Sequence, residues 1–326
     1  MIKKILVMLS VFCVSVTSST PVSYQFTDFI KEHDKSYSDE DLITRFSIFK
    51  DNVRKIDVHN AQNNDWKMSV NKFADLTADE FKIKYTGYKP TYQSNVPRIE
   101  FDNNRLSRYF ALPNEWDWTA KGAVTPVYDQ GQCGSCWAFS TVQSVESAYF
   151  LSTGNLVELS AQNLVDCDVG QDEGCNGGDM RYAMDYIEKN GICSLKDYPY
   201  QAADGSCKKC SIVTKINSYV DVTTNDEKAL QQAVYKTPVS IAIEADQMAF
   251  QFYSSGVLTS KCGTNLDHGV LLVGYGTLNG VDYWKVKNSW GANWGEDGYI
   301  LLQRNSKQVG GQCGLAMEPT YPIISN

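Results

Sequence analysis

The stretch Gln130-Gly131-Gln132-Cys133-Gly134-Ser135-Cys136-Trp137-Ala138-Phe139 decides the reading of this 326-residue chain. It is polar and glycine-rich up to Ser135 and apolar after Cys136. It therefore reads as a loop running into a helix that starts at Ser135 or Cys136 and ends at Gly154, whose lack of a side chain suits a C-cap. A thiol at a helix N-terminus meets unpaired backbone amides and the positive end of the helix dipole, which favour its thiolate. Beyond residue 59 the chain holds one histidine, His268, which lies 132 residues after Cys136. Asn288 follows in Asn288-Ser289-Trp290-Gly291. A thiol, an imidazole and an amide are the parts of a nucleophile, its base and a group that orients the base. Gln130 and the Cys136 N–H are candidate donors to an oxyanion. Trp290 is placed to shield a His268–Asn288 hydrogen bond from water.

Composition bounds the rest. With 43% hydrophobic residues the chain is long enough for one large or two medium domains. Residues 1–19 combine Lys3-Lys4, a short apolar run and small residues, the pattern of a secretory signal peptide. The run is too short to span a bilayer, and no later stretch is long enough, so the processed protein is expected to be soluble with no membrane partner. Cys13 leaves with the signal, and nine cysteines remain. In a secreted chain these imply disulfides, and the odd number leaves one thiol unpaired, for which Cys136 is the candidate. Residues 20–111 carry balanced charge, whereas residues 112–326 carry a net −10, which argues against nucleic acid as a partner.

Residues 20–90 read as helical, with Asp41, Arg45, Phe49, Asn52, Ile56 and Asn60 along one face. Residues 89–111, with Pro90 and Pro97, read as a linker, and a processing boundary is expected near Ala111. After it, further helices are expected following Ser160 and from Met180 to Lys189, ending at Gly191. Strands are expected at Val239–Ile243, from His268 to Tyr275, from Tyr283 to Lys287 and from Gly298 to Gln303, with a hairpin turn over 277–280. A helical half followed by a β-rich half predicts two packed subdomains with a cleft between them. Taken alone, Cys133-x-x-Cys136 also fits a redox dithiol or, with Cys207-x-x-Cys210, half of a zinc site. A chain without catalytic function would be expected to lack Cys136, His268 or Asn288, and none is missing.

The set Cys133-Gly134-Ser135-Cys136-Trp137, Gly174-Cys175-Asn176-Gly177-Gly178, Asp267-His268-Gly269, Asn288-Ser289-Trp290-Gly291 and Trp294-Gly295 resembles the papain-like cysteine peptidases. The face from Asp41 to Asn60 and the run Asn71-Lys72-Phe73-Ala74-Asp75 resemble the inhibitory propeptide of the cathepsin L-like branch. Asp41 and Ser69 depart from it, standing where the family has Glu and usually Gly.

The resemblance implies an α+β, papain-like two-subdomain fold: a helical part, a β-barrel-like part and the active-site cleft between them. It implies a signal peptide (1–19), an inhibitory propeptide (20–111) and a mature peptidase domain (112–326). Cys136 is then the nucleophile, His268 its base and acid, Asn288 the orienting group and Gln130 part of the oxyanion site. Gly178 is a backbone partner for extended substrate. Met180, Ala242 and Leu266 line the pocket for P2, the side chain one residue before the cleaved one, and Glu318 at its floor is expected to accept Arg there. Trp290 completes the cleft. Asp267 tunes the site without joining the catalytic set. Implied disulfides are Cys133–Cys175, Cys167–Cys207 and Cys262–Cys313, and subtraction leaves Cys193 with Cys210. No metal or cofactor is implied. Expected partners are peptide and protein substrates and the chain's own propeptide, lying non-productively in the cleft, with the protein monomeric. The expected location is secreted or lysosomal/endosomal, without support for a glycan-based address, because no Asn-x-Ser/Thr sequon occurs.

Overall fold

The computed structural model describes residues 20–62, 64–90, 112–260 and 262–325. The expected signal peptide, the linker from residue 91 and the boundary at Ala111 lie outside the described residues.

The sequence from His268 to Tyr275 is an unbroken apolar and glycine run, as expected of a strand covered on both faces. It forms the strand His268–Leu278, buried from His268 to Gly276. The strand outruns the expected end at Tyr275 because the hairpin turn is only two residues, Asn279 and Gly280. Both have positive φ, the geometry that Asn-Gly hairpins favour. The returning strand is Val281–Lys287, and Val239–Ile243 pairs antiparallel on the other side.

These strands are the middle of a nine-stranded sheet. Its end strands in the described residues, Trp66–Met68 and Ser218–Asp221, pair with different neighbours and not with each other. The expected barrel-like half is thus an open sheet. The edge that Tyr253–Leu258 would otherwise expose is taken by Trp66–Met68 from the N-terminal segment, so closure is not needed to protect it.

Against the sheet lies the helix Cys136–Thr153, buried on every side from Cys136 to Ala148. Such a helix must satisfy its polar side chains internally. The Ser140 hydroxyl donates to the Val270 carbonyl at 2.8 Å, and the Ser240 hydroxyl donates to the Ser140 carbonyl at 2.9 Å. Gly154 closes the helix at φ 77°. Helices Ala161–Cys167, capped by Ser160, and Met180–Asn190, capped by Asp179 and ended at Gly191, complete the helical half.

The N-terminal segment folds onto this body. Its long helix Asp39–Asn60 buries Phe49, Asn52 and Ile56. Arg45 grips Glu80 with two nitrogens, at 2.8 and 2.7 Å. Glu80 also completes a capping box with Thr77 at the start of helix Ala78–Tyr85. Asp41 lies on the expected face but bonds Ser38 at the helix N-terminus. Ser69 makes its contact through its backbone N–H, to the Phe252 carbonyl, and its side chain is exposed, so a residue larger than glycine fits. The Asn71–Asp75 run is pinned by Asn71 donating to the Gln251 carbonyl, while the Gln251 amide donates back to the Phe73 carbonyl.

Asn52 donates to two carbonyls, Ala74 and Leu76, at 3.0 and 2.9 Å from a buried position. Replacing it with Leu leaves both without that partner, a loss of about 1–3 kcal/mol. Thermal unfolding of the full-length Asn52→Leu protein should show the N-terminal segment melting earlier, with the melting of the 112–326 part unchanged. Equal shifts of both transitions would contradict this division.

Candidate active site

Cys136 is the first residue of its helix, and His268 the first of the central strand. The helix–strand bonds at Ser140 and Val270 bring these two starts together. A Cβ added at Gly269 would lie 3.2 Å from the Cys136 carbonyl. Both side chains are fully buried.

The imidazole is fixed by one bond. His268 Nε2 lies 2.8 Å from Asn288 Oδ1, and the same oxygen accepts the Ser289 N–H at 2.8 Å. An oxygen facing two donors means that Nε2 carries the proton, leaving the lone pair on Nδ1. Nδ1 is buried and has no hydrogen-bond partner. Trp290 stacks on the ring with centroids 4.6 Å apart, covering the His268–Asn288 bond. Gln130 is held by the Ser289 hydroxyl, which donates to its Oε1 at 2.7 Å. Its Nε2 donates to the Cys133 carbonyl at 2.9 Å and to the Tyr85 carbonyl at 3.3 Å.

Tyr85 begins the segment that fills the cleft. Gly87 and Tyr88 donate their N–H groups to the Asp267 carbonyl, Gly178 N–H donates to the Gly87 carbonyl, and Lys89 N–H donates to the Gly178 carbonyl. Tyr88 and Gly178 form a parallel bridge. The Tyr88 ring is buried in one apolar cluster with Cys136, Met180, Ala242 and Leu266. Phe73 and Phe81 meet Trp290 edge-on, at 5.6 and 5.0 Å between centroids. Three lysines of the N-terminal segment reach acidic side chains beyond residue 112: Lys72 to Asp129, Lys82 to Asp246 at 2.7 Å and Lys89 to Glu173 at 2.5 Å. The local charge match explains how a segment with balanced charge sits on a body of net −10.

This cover reverses the expected electrostatics. Burial pushes the Cys136 thiol up to about 12, although the Gly269 and Trp137 N–H groups act in the opposite direction. Burial also pushes His268 down to about 4, against the favourable bond to Asn288. Between those values both groups stay neutral under the segment, so the thiolate favoured by the helix N-terminus does not form here. Asp267 is pushed up to about 7 by burial. Its Oδ1 accepts the Ala245 N–H at 2.8 Å, and its backbone carbonyl holds the covering segment.

Four disulfides join Cys133–Cys175, Cys167–Cys207, Cys193–Cys210 and Cys262–Cys313, and Cys136 is free. Cys133, Cys207 and Cys210 each have another partner, which removes the dithiol and zinc readings of the two C-x-x-C pairs.

Residues 112–323 match the family model of papain family cysteine proteases, and residues 26–81 match the cathepsin propeptide inhibitor domain. The chain belongs to the papain family of cysteine proteases. As a member of that family it is a cysteine endopeptidase made as a proenzyme with an inhibitory propeptide. It is 48% identical to cysteine proteinase RD21A of Arabidopsis thaliana, over 94% of this chain and 67% of that one. It is 52% identical to the probable cysteine protease RD21B of the same plant, over 86% of this chain and 60% of that one. The chain thus spans about two thirds of these two relatives. The recombinant stem bromelain precursor superposes with a TM-score of 0.87 at 39% identity, covering 94% of this chain and all of that one.

The Glu318 carboxylate, expected to face an Arg side chain of the substrate, bonds Arg181 of the chain itself at 2.5 Å. Arg181 is buried and also chelates Asp179. Sequence reading missed both. Their signal was present: two charged residues flanking Met180, at a pocket wall expected to be apolar.

Gly87 lies so close to the loop before Cys136 that an added Cβ would come 2.1 Å from the Gly134 carbonyl oxygen. Backbone on both sides leaves no easy escape. A Gly87→Ala proenzyme should hold its cleft poorly, activating several-fold faster than wild type in a time course with fluorogenic peptide. An unchanged lag would contradict this seating.

Proposed function

We propose that Cys136 is the nucleophile of this endopeptidase and His268 its base and acid. The observation that carries the assignment is the buried, unpartnered Nδ1 of His268, its tautomer fixed by Asn288, on a strand start whose next residue, Gly269, packs against the backbone of Cys136, the only free thiol among the described residues. In the uncovered cleft, water and substrate dipoles relieve the burial that holds both groups neutral. The proton then moves from Cys136 to Nδ1, and the thiolate attacks the peptide carbonyl. His268 protonates the leaving amine, and water releases the acyl group.

Gln130 Nε2 and the Cys136 N–H hold the oxyanion. In the covered form the Tyr85 carbonyl takes a bond from that same Nε2, so the propeptide occupies a donor that the reaction needs. Gly178 binds substrate backbone, and Met180, Ala242 and Leu266 wall the P2 pocket. The parallel bridge at Gly178 supports a non-productive propeptide, for which a substrate runs the other way.

Residues 1–19, 20–111 and 112–326 are the signal, propeptide and mature domain. Support comes from the start of the family match at residue 112. The enzyme works as a monomer, reached through the secretory route to an extracellular or lysosomal/vacuolar compartment. Four disulfides fit that route. Among the described residues no helix is long and apolar enough to cross a membrane.

Two cysteines three positions apart test the assignment. Cys136→Ala should fold and be inactive on a peptide panel, since its thiol serves chemistry. Cys133→Ala should lose about 2–5 kcal/mol with the disulfide to Cys175 and fold poorly. A Cys136→Ala protein that still cleaves peptides would end this reading.

A further inference from the structure

The propeptide leaves an imprint of what its pocket binds. Tyr88 is held by backbone bonds on both sides, from Gly178 and Asp267, and its ring fills the apolar cluster. Its hydroxyl does not end against apolar surface. It donates to Asp179 Oδ2 at 3.1 Å, and Arg181 Nη2 donates to it at 3.3 Å. Asp179 is fully buried, and Arg181 nearly so.

The two are locked as a unit. Arg181 Nε lies 3.0 Å from Asp179 Oδ1, and Nη2 lies 2.7 Å from Oδ2. Asp179 Oδ1 also accepts the Arg181 N–H at 3.0 Å, capping the Met180–Asn190 helix, and Glu318 takes Arg181 Nη1. The pocket floor is therefore a rigid acceptor and a rigid donor side by side. A phenol hydroxyl is one donor and one acceptor on a flat apolar body, which matches both the floor and the walls.

We infer that Asp179 and Arg181 determine specificity at the P2 pocket by reading a phenol hydroxyl, so that the enzyme selects substrates with Tyr at P2. This rests on the peptidase reading above. Phe fills the same walls but leaves the floor's acceptor and donor facing a ring edge, and buried polar groups left unmatched are a strong source of rejection. An Arg side chain would set a second guanidinium beside Arg181, with Glu318 already engaged. Leu is accepted for its apolar area alone.

The test uses the mature enzyme and peptides that differ only at P2: Tyr, Phe, O-methyltyrosine, Leu and Arg. The expected result is a kcat/KM for Tyr about tenfold above Phe, the scale of one buried hydrogen bond to a charged group. O-methyltyrosine, which keeps the ring and loses the donor, should fall to the Phe level or lower, and Arg should fall below Tyr. In the double variant Asp179→Leu/Arg181→Met, which replaces the ion pair with apolar groups of similar size, the Tyr-to-Phe ratio should drop to about one while Leu is still cleaved. If that variant does not fold, the O-methyltyrosine comparison in wild type decides alone. A wild-type ratio of one or less, or an unchanged ratio in a folded double variant, overturns the inference while cleavage of the Leu peptide leaves the peptidase reading intact. No cleavage of any peptide would overturn both.

Discussion

The active site depends on the register between one buried helix and one buried strand. The Ser140 hydroxyl bonds the Val270 carbonyl, and the Ser240 hydroxyl bonds the Ser140 carbonyl, so the helix cannot slide along the sheet without breaking buried hydrogen bonds. Ser140 is one turn beyond Cys136, and Val270 is two residues beyond His268. Fixing the first pair fixes the second. Everything else at the site is attached to these two elements: Asn288 follows the hairpin strand Val281–Lys287, and Gln130 is tied to Ser289. A second tie lies deeper, where Lys287 and Glu146, both buried, share Thr125 as a hydrogen-bond partner.

Dormancy in the proenzyme follows from desolvation as much as from obstruction. The propeptide bonds the backbone of Gly178 and the Gln130 amide and packs Tyr88 into one cluster with Met180, Ala242 and Leu266, and it also shields Cys136 and His268 from the solvent that a thiolate–imidazolium pair requires. Burial favours the neutral form of each partner, and so the cover opposes both charges at once. The sign of each group's pH effect follows. His268 takes up a proton more readily in the open cleft than under the cover, so its protonation favours opening, whereas the Asp267 carboxyl, pushed up to about 7 by burial, binds its proton more readily under the cover and acts the other way. Glu80 is held down at about 2 chiefly by Arg45, so their pair survives mild acid.

Much of this was legible in the sequence because the relevant signals are local. The continuous apolar run after His268, Gly154 at a helix end and Asn279-Gly280 between two strands each dictate a conformation through backbone sterics or burial. The residues proposed for catalysis stood out because the chain offers so few alternatives: one histidine after residue 59 and an odd cysteine count. The open sheet was not legible, since closure depends on which strands meet across the whole chain. Nor was the buried Asp179–Arg181 pair. Asp179 and Arg181 carried no sequence expectation, and only the fold turns both inward onto Glu318 and Tyr88. Lys287 looked like the polar face of an alternating strand and is buried. The shift of the Cys136 thiol was misjudged for a related reason, since the helix terminus is visible in sequence and the burial over it is not.

The proposed mechanism requires one imidazole, placed by this register, to turn Cys136 into a thiolate once the cover is removed. Ultraviolet absorbance of the thiolate, followed against pH, measures that directly in the proenzyme, the mature enzyme and mature His268→Ala. A thiolate is expected at neutral pH in the mature enzyme, with its loss in His268→Ala and none in the proenzyme at the same pH, where the thiol is pushed up to about 12. Equal thiolate signals in all three proteins would contradict it.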